Sequence, residues 1–450
     1  MLGWKILKDG EYRLEFPTLS HDEEELILAT EERFKEHSRT QDARTRGESA
    51  EMIKGLLMGA ADGLGIYIDK DQREYLAKMA LMHIYGFAFI DELLKDDRIE
   101  EISVIGPMKP AYAFIRNIGW KRVNACFCDE KAITEATNKM ARHIGRHITL
   151  QNPRLDAMLP DGSRLHASLS PVSSGEITIR RFRDKPYSPR ELLENGTIQA
   201  DALAYLSLIM QCDCSLIIGG NTASGKTTTL NALFSFVPSD ERVLITEETP
   251  EINIPHPHQM RLVANREMGI TLKDLVYDSL RMRPDRMIVG EIRNAEEAEA
   301  LFEVLLAGQA RGSYATVHAQ SVDEGLRRLK TLGVDAENLA SIDCLVIQRR
   351  MLSYDQRKRK NLESRRVVAI AEIDGDGKAR TIYDGKARAD HNGMALDLGS
   401  SGLLEKVAET FGMDRKEIEA EIKSRMKLIR KAGPDYEGFF RTIQSELFSE

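Results

Sequence analysis

Cysteine is scarce in this 450-residue chain. The five present, Cys126, Cys128, Cys212, Cys214 and Cys344, fall in C-x-C rather than C-x-x-C spacing. That odd count and spacing argue against a disulfide framework and a zinc site, and point to small buried hydrophobes in a reducing compartment. Positive charge is also in deficit. With 63 basic residues against 71 acidic, the formal net charge is −8, the opposite of the basic stripe that nucleic-acid binding needs. Long apolar runs are missing: the longest, Tyr75 to Ile90, is broken by Lys78 and His83 and falls short of a bilayer span. The opening Met1-Leu2-Gly3-Trp4-Lys5 carries no apolar core of a signal peptide, so any membrane role is expected to be peripheral. Compositionally disordered blocks, internal repeats and an N-K-x-D guanine-reading motif are absent too.

What remains is a globular composition, 42% hydrophobic and 30% charged, in a chain long enough for two or three domains. One local excess of charge stands out. Arg349 to Arg366 holds Arg349, Arg350, Arg357, Lys358, Arg359, Lys360, Arg365 and Arg366 against Asp355 and Glu363. It reads as a solvated hairpin or loop, or as a patch for an acidic partner or anionic lipid headgroups.

Residues 1–95 read as a mostly helical extension. An α+β domain with an antiparallel sheet is expected over 96–183. Its strand candidates include Leu155 to Pro160 and Ser163 to Leu169 around the hairpin dipeptide Asp161-Gly162, and its helix runs from Asp129 to Gly145. The proline-bearing stretch 184–190 reads as a linker. Over 191–345 strands and helices alternate, which predicts a mostly parallel sheet covered by helices. Residues 346–450 carry the basic segment and a helical C-terminus.

The chemistry concentrates after the apolar strand Leu216-Ile217-Ile218. Gly220-Asn221-Thr222-Ala223-Ser224-Gly225-Lys226-Thr227-Thr228 is G-x-x-x-x-G-K-T between a strand and a helix. The glycines let backbone N–H groups close on phosphates, Lys226 adds a point charge at the β/γ oxygens, and Thr227 offers a hydroxyl to Mg²⁺. Three further segments lie at strand ends, where an open α/β sheet gathers its ligand chemistry. In Ile245-Thr246-Glu247-Glu248-Thr249-Pro250-Glu251 the acids are solvated loop residues, or else Glu247 positions the attacking water and Glu248 holds a metal-bound water. In Met287-Ile288-Val289-Gly290-Glu291 an apolar strand ends in Glu291, the water-orienting group a phosphohydrolase needs opposite the γ-phosphate. In Thr316-Val317-His318-Ala319 the histidine is structural or senses the γ-phosphate. His143, His147, His256 and His258 lack the company of a metal site. Arg164, Arg180 and Arg181 are ordinary surface residues or cations that meet charge on the transferring phosphoryl group.

In order and spacing, these segments resemble the motor ATPases of the type II/type IV secretion family, including its archaeal pilus and archaellum branch. The likeness rests on Leu159-Pro160-Asp161-Gly162-Ser163-Arg164, Thr178-Ile179-Arg180-Arg181-Phe182, the phosphate loop, Glu247 to Glu251, Leu280 to Asp285 running into Gly290-Glu291-Ile292-Arg293, and Thr316 to Ala319. It covers roughly residues 95–345. The resemblance implies a RecA-like P-loop NTPase core in a two-domain subunit of a homo-hexameric ring, with ATP and Mg²⁺ as cofactors. It implies Glu291 as catalytic glutamate, Glu247 and Glu248 as the acidic box, His318 as the histidine-box residue, and Arg164, Arg180 and Arg181 as nucleotide-contacting arginines. Glu248 stands where the family more often has aspartate, and Gln309 where many relatives have histidine.

The reading that follows is an ATP-hydrolysing motor, cytoplasmic and peripheral at the inner face of the cell membrane. It would drive pilus or archaellum assembly, or protein secretion, through an integral-membrane platform protein, with no nucleic-acid partner. The alternatives are a conjugation-type nucleic-acid translocase and a nucleotide-gated scaffold with little turnover.

Overall fold

The computed structural model describes the chain except residues 1–3, 7–9, 16–18, 39–45, 117, 143–144, 182, 184, 266–267, 309, 358, 386–394 and 449–450. His143, Phe182, Asp184, Gln309 and Lys358 therefore lie outside the described residues. Two compact units divide the chain, Met1–Asp184 and Lys185–Glu450.

The first unit opens with strands β1 (Trp4–Ile6) and β2 (Glu11–Leu14) and helices α1 (His21–Ser38), α2 (Arg46–Leu64), α3 (Lys70–Tyr85) and α4 (Ile90–Leu94). The first three helices share their own apolar cluster, which includes Leu26, Ile53, Leu57, Leu76 and Ala80. Then come β3 (Ile99–Val104), β4 (Tyr112–Ile115), β5 (Gly119–Val123), α5 (Glu130–Arg142), β6 (Arg154–Met158), β7 (Arg164–Ser168) and β8 (Glu176–Arg180). The sheet order is β1-β2-β5-β4-β3-β8-β7-β6. It is antiparallel except where β2 meets β5. Asp161-Gly162 turns β6 into β7 as the sequence predicted: Gly162 takes φ +79°, and the Asp161 carboxylate accepts from the Ser163 backbone N–H at 3.0 Å. Cys126 and Cys128 are exposed rather than buried, because they fall in the irregular stretch after β5. Cys212, Cys214 and Cys344 are buried as expected.

The second unit continues with α6 (Pro189–Glu194), α7 (Ala200–Gln211), β9 (Leu216–Gly220), α8 (Lys226–Leu233), β10 (Val243–Glu247), β11 (Gln259–Val263), α9 (Leu272–Ser279), β12 (Arg286–Ile292), α10 (Ala295–Ala307), β13 (Gly312–Val317), α11 (Val322–Thr331) and α12 (Ala336–Leu339). It ends with β14 (Cys344–Asp355), β15 (Lys360–Ile373), β16 (Ala379–Asp384), α13 (Leu403–Phe411), α14 (Arg415–Lys431) and α15 (Tyr436–Phe448). The sheet order is β11-β10-β12-β13-β9-β14-β15-β16. From β11 to β14 every pairing is parallel, and β15 and β16 are antiparallel. The fold is thus the expected RecA-like α/β core, with a helical C-terminus packed on it. The sheet itself runs on past residue 345.

Strand periodicity explains why these runs are apolar throughout. Leu216 and Ile218 point into one core cluster and Ile217 into the other, and Ile288 separates from Met287 and Val289 in the same way. One cluster lies under α7 and the C-terminal helices, the other under α9, α10 and α11. Side chains at helix starts set the crossovers. Thr271 and Asp274 form a capping box, Asn294 and Ser321 accept from Glu297 N and Glu324 N, and Gly308 closes α10 at φ +60°.

Candidate nucleotide site at the strand ends

β9 delivers the chain to a tight loop whose backbone only certain residues allow. Gly225 sits at φ +94° as it enters α8, and Ala223 is held left-handed at φ +58°, a strain on the order of 1 kcal/mol. A Cβ on Gly220 would lie 2.3 Å from Ser224 Oγ and 2.5 Å from the Gln348 carbonyl oxygen, so only glycine fits there. The Ser224 hydroxyl is 1% exposed and finds no partner. Such a buried, unpaired donor beside a glycine-lined loop and a helix N-terminus suits an anion with several oxygens. The residues present therefore fit a phosphate chain. Asn221 is turned the other way: it donates to Arg350 O at 3.2 Å and accepts from Arg350 N at 2.9 Å, so it ties the loop to β14. Gln348 accepts from Thr229 Oγ1 at 2.7 Å and backs the same loop. Thr222 is exposed, and Thr228 is half-buried in the first turn of α8.

Five titratable groups from three strand ends and the loop converge here. Lys226 Nζ lies 3.4 Å from Glu291 Oε1, and His318 Nε2 lies 3.0 Å from the same oxygen. Arg293 Nε donates to Glu291 Oε2 at 2.7 Å, and the same guanidinium is ion-paired to Glu248. Burial pushes the Glu291 carboxyl up, but the bond from Arg293 and the charges of Lys226 and Arg293 outweigh it and hold the group below its ordinary range. Burial lowers Lys226, with Glu291 opposing. Burial and the neighbouring Lys226 charge also lower His318, which favours a neutral ring donating to Glu291 from Nε2.

The acidic segment after β10 divides its labour differently from the sequence expectation. Glu247 is only 2% exposed; its Oε1 accepts from Glu251 N at 2.8 Å and Ile252 N at 2.9 Å, and Arg261 Nε stands 3.3 Å from Oε2. Burial raises its carboxyl to about 7 in spite of those partners. Glu247 thus faces inward and anchors the loop that presents Glu248 and Glu251. The Thr227 hydroxyl donates to Glu251 Oε2 at 3.2 Å. Glu251, Arg293 and Gln348 are the residues that sequence reasoning left without a role. Glu251 and Arg293 stood inside segments already singled out, Arg293 two positions from Glu291 and so on the same side of an extended chain. Gln348 carried no signal, since 119 residues separate it from Thr229.

In the first unit Arg164 and Arg180 are direct cross-strand partners of β7 and β8, an arrangement of like charges that costs stability. Glu101 of β3 lies opposite Arg180 on its other side. Arg181 does not join them: its guanidinium donates to Asp96 O at 2.7 Å and to Asp97 at 3.3 Å. His256 is buried between the Phe234 and Phe440 rings and burial lowers it to about 4, while His147 and His258 are exposed.

A glycine-lined phosphate loop at the carboxyl edge of a mainly parallel sheet defines a P-loop protein of the α/β class. The chain belongs to the type II/IV secretion system protein family, whose model matches residues 93–432. It is similar to an uncharacterized protein of Methanocaldococcus jannaschii, 32% identical over 381 residues that cover 81% of this chain and 68% of that one. It is also similar to the type IV secretion system protein VirB11 of Bartonella henselae, 24% identical over 289 residues that cover 55% of this chain and 80% of that one. Among solved structures, the Legionella pneumophila ATPase DotB aligns at 18% identity and a TM-score of 0.47, over 76% of this chain and 88% of that chain. Among the described residues no helix is long and apolar enough to cross a membrane.

Proposed function

We propose that this chain is an ATP-hydrolysing motor subunit that assembles as a homo-hexamer. It drives pilus or archaellum assembly, or protein secretion, through an integral-membrane platform protein, from a peripheral position on the cytoplasmic side. The observation that carries the reading is the convergence of Lys226 and Glu291 at 3.4 Å, with His318 and Arg293 on the same carboxylate. A phosphate-binding cation and a water-orienting acid then meet at one sheet edge.

The roles follow from charge and burial. Backbone N–H groups of 220–226 and the Ser224 hydroxyl bind the phosphate chain, and Lys226 exchanges its contact with Glu291 for the β/γ oxygens. Glu291, released on that side and held ionised by Arg293, orients the attacking water. A carboxylate kept below its usual range is a weak base, and orientation is what a loose phosphoryl-transfer transition state requires. Neutral His318 donates to Glu291 and fixes its rotamer. Thr227 would hold Mg²⁺ directly, and Glu251 and Glu248 through water, the ion supplying neutralisation of phosphate charge. Glu247 positions the loop bearing the latter two. In the N-terminal unit Arg164 and Arg180 form a guanidinium pair suited to a phosphate. Movement between the two units is the proposed mechanical output.

The test is steady-state hydrolysis and ATP binding by Glu291→Gln. Turnover should fall by about 100-fold or more while ATP affinity stays within a few-fold, because the water-orienting charge is lost and the phosphate cradle is kept. Hydrolysis at the wild-type rate would remove the assignment.

A further inference from the structure

The phosphate-loop site leaves unexplained a two-stranded ribbon that leaves the sheet. β14 pairs with β9 only as far as Gln348↔Gly220, and β16 meets β15 only over 369–373. Among the described residues, the two strands pair only with each other from Arg349↔Arg366 to Asp355↔Lys360, which makes an arm about 20 Å long. Its outward end is uncovered. Leu352 is 69% exposed and Tyr354 60%, and their spacing places both on one face. Opposite them stand the polar Glu363 and Asn361. A free two-stranded ribbon is marginal in water, so exposed apolar side chains at its end are a cost that solvent does not offset. Glu363 is already engaged by Arg350 at 2.6 Å and Arg365 at 3.2 Å. Just beyond it the sequence runs Arg357-Lys358-Arg359-Lys360, with Arg357 and Arg359 exposed.

We propose that this arm docks on the anionic lipid surface of a membrane, Leu352 and Tyr354 entering the headgroup layer and the basic turn meeting lipid phosphates. The size of the arm selects lipid over an acidic protein. The arm offers seven residues on each strand, 349–355 and 360–366, against roughly 20–30 residues a side in a stable protein interface. A bilayer needs no such area, since an aromatic and an aliphatic anchor beside several cations suffice. The chain as a whole carries a net −8, so an anionic surface repels most of it and attracts this arm, which fixes orientation. The root of the arm is the Asn221–Arg350 pair on the phosphate loop, so a docked arm holds one wall of the nucleotide site. The inference deepens the reading of a peripheral membrane motor and rests on it for its setting.

The test is co-sedimentation of the full chain with phosphatidylglycerol/phosphatidylcholine vesicles and with phosphatidylcholine vesicles alone, at low and high salt. The wild type should bind the anionic vesicles, and salt should weaken that binding. Arg357→Ala/Arg359→Ala should weaken it about 30-fold, from about fivefold per basic residue near such a surface. Leu352→Ser/Tyr354→Ser should weaken it about tenfold or more. Both variants should melt and bind ATP like the wild type, because the altered side chains are exposed. Equal binding to both vesicle types, or variants that bind as the wild type does, would overturn the proposal. So would loss of duplex DNA or acidic-protein binding in the variants with vesicle binding unchanged. ATP hydrolysis in lipid-free buffer reports on the motor reading separately, since it can fail while vesicle binding holds and the reverse.

Discussion

Glu247→Gln isolates the energetic consequence of burying a carboxyl under β10. The glutamine Oε1 can still accept from Glu251 N and Ile252 N, so the loop is kept and only the titration is removed. In the wild type the folded group is raised to about 7 against an ordinary 4.5. The folded state therefore holds its proton more tightly than the unfolded chain. The stability this contributes is fully present below about pH 4.5 and is lost as pH climbs through about 7. A separation of about 2.5 units corresponds to roughly 3 kcal/mol. Relative to wild type, Glu247→Gln should thus gain about 3 kcal/mol between about pH 5 and pH 8.5, whatever its fixed offset from facing Arg261. Calorimetry on the full chain would follow the transition that ATP shifts upward. The difference in midpoint should grow by about 6–12 °C across that pH range, given about 2–4 °C per kcal/mol for a unit of this size. A difference independent of pH would refute the reasoning and show that Arg261 and the two N–H donors keep Glu247 ionised.

Other perturbations probe the cradle and its supports. Gly220→Ala should abolish measurable ATP binding by calorimetry and lower stability by about 1–3 kcal/mol, because its Cβ would meet Ser224 Oγ at 2.3 Å. Asn221→Ala removes two bonds to the Arg350 main chain and should destabilise by about 1–2 kcal/mol in a melting experiment; an unchanged midpoint would show that the arm root contributes nothing. Arg293→Ala leaves Glu248 and Glu291 without their shared cation and should lower kcat by about 10–100-fold, with partial rescue by Arg293→Lys. A kcat within twofold of wild type would reduce Arg293 to a surface residue.

Local signals made much of the core legible. The glycine spacing of 220–225 encodes a phosphate loop because backbone conformation there is limited by sterics, a property of the residue itself. Asn294, Ser321 and Thr271 announce helix starts for an equally local reason: their side chains bond N–H groups two or three residues on. The strands ending at Glu291 and His318 were readable from apolar runs followed by a polar residue. Elements without such marks went unread, among them the edge strand β11, whose side chains are mostly exposed and follow no alternation.

Partners were not legible, since a contact between distant residues leaves no periodic trace. That Glu291 would be shared by Lys226, Arg293 and His318 depended on β9, β12 and β13 lying side by side. That Glu247 would turn inward while Glu248 and Glu251 stayed half-buried depended on which backbone N–H groups the following loop brought back. Sequence alone gave the G-x-x-x-x-G-K-T spacing between a strand and a helix and the acids that follow the strands, because those are matters of residue type and short-range geometry. Which acid meets Lys226, which turns inward and which pairs with Thr227 was decided by strand order and burial, because charge energies are set by distance and dielectric, and both exist only once the chain has folded.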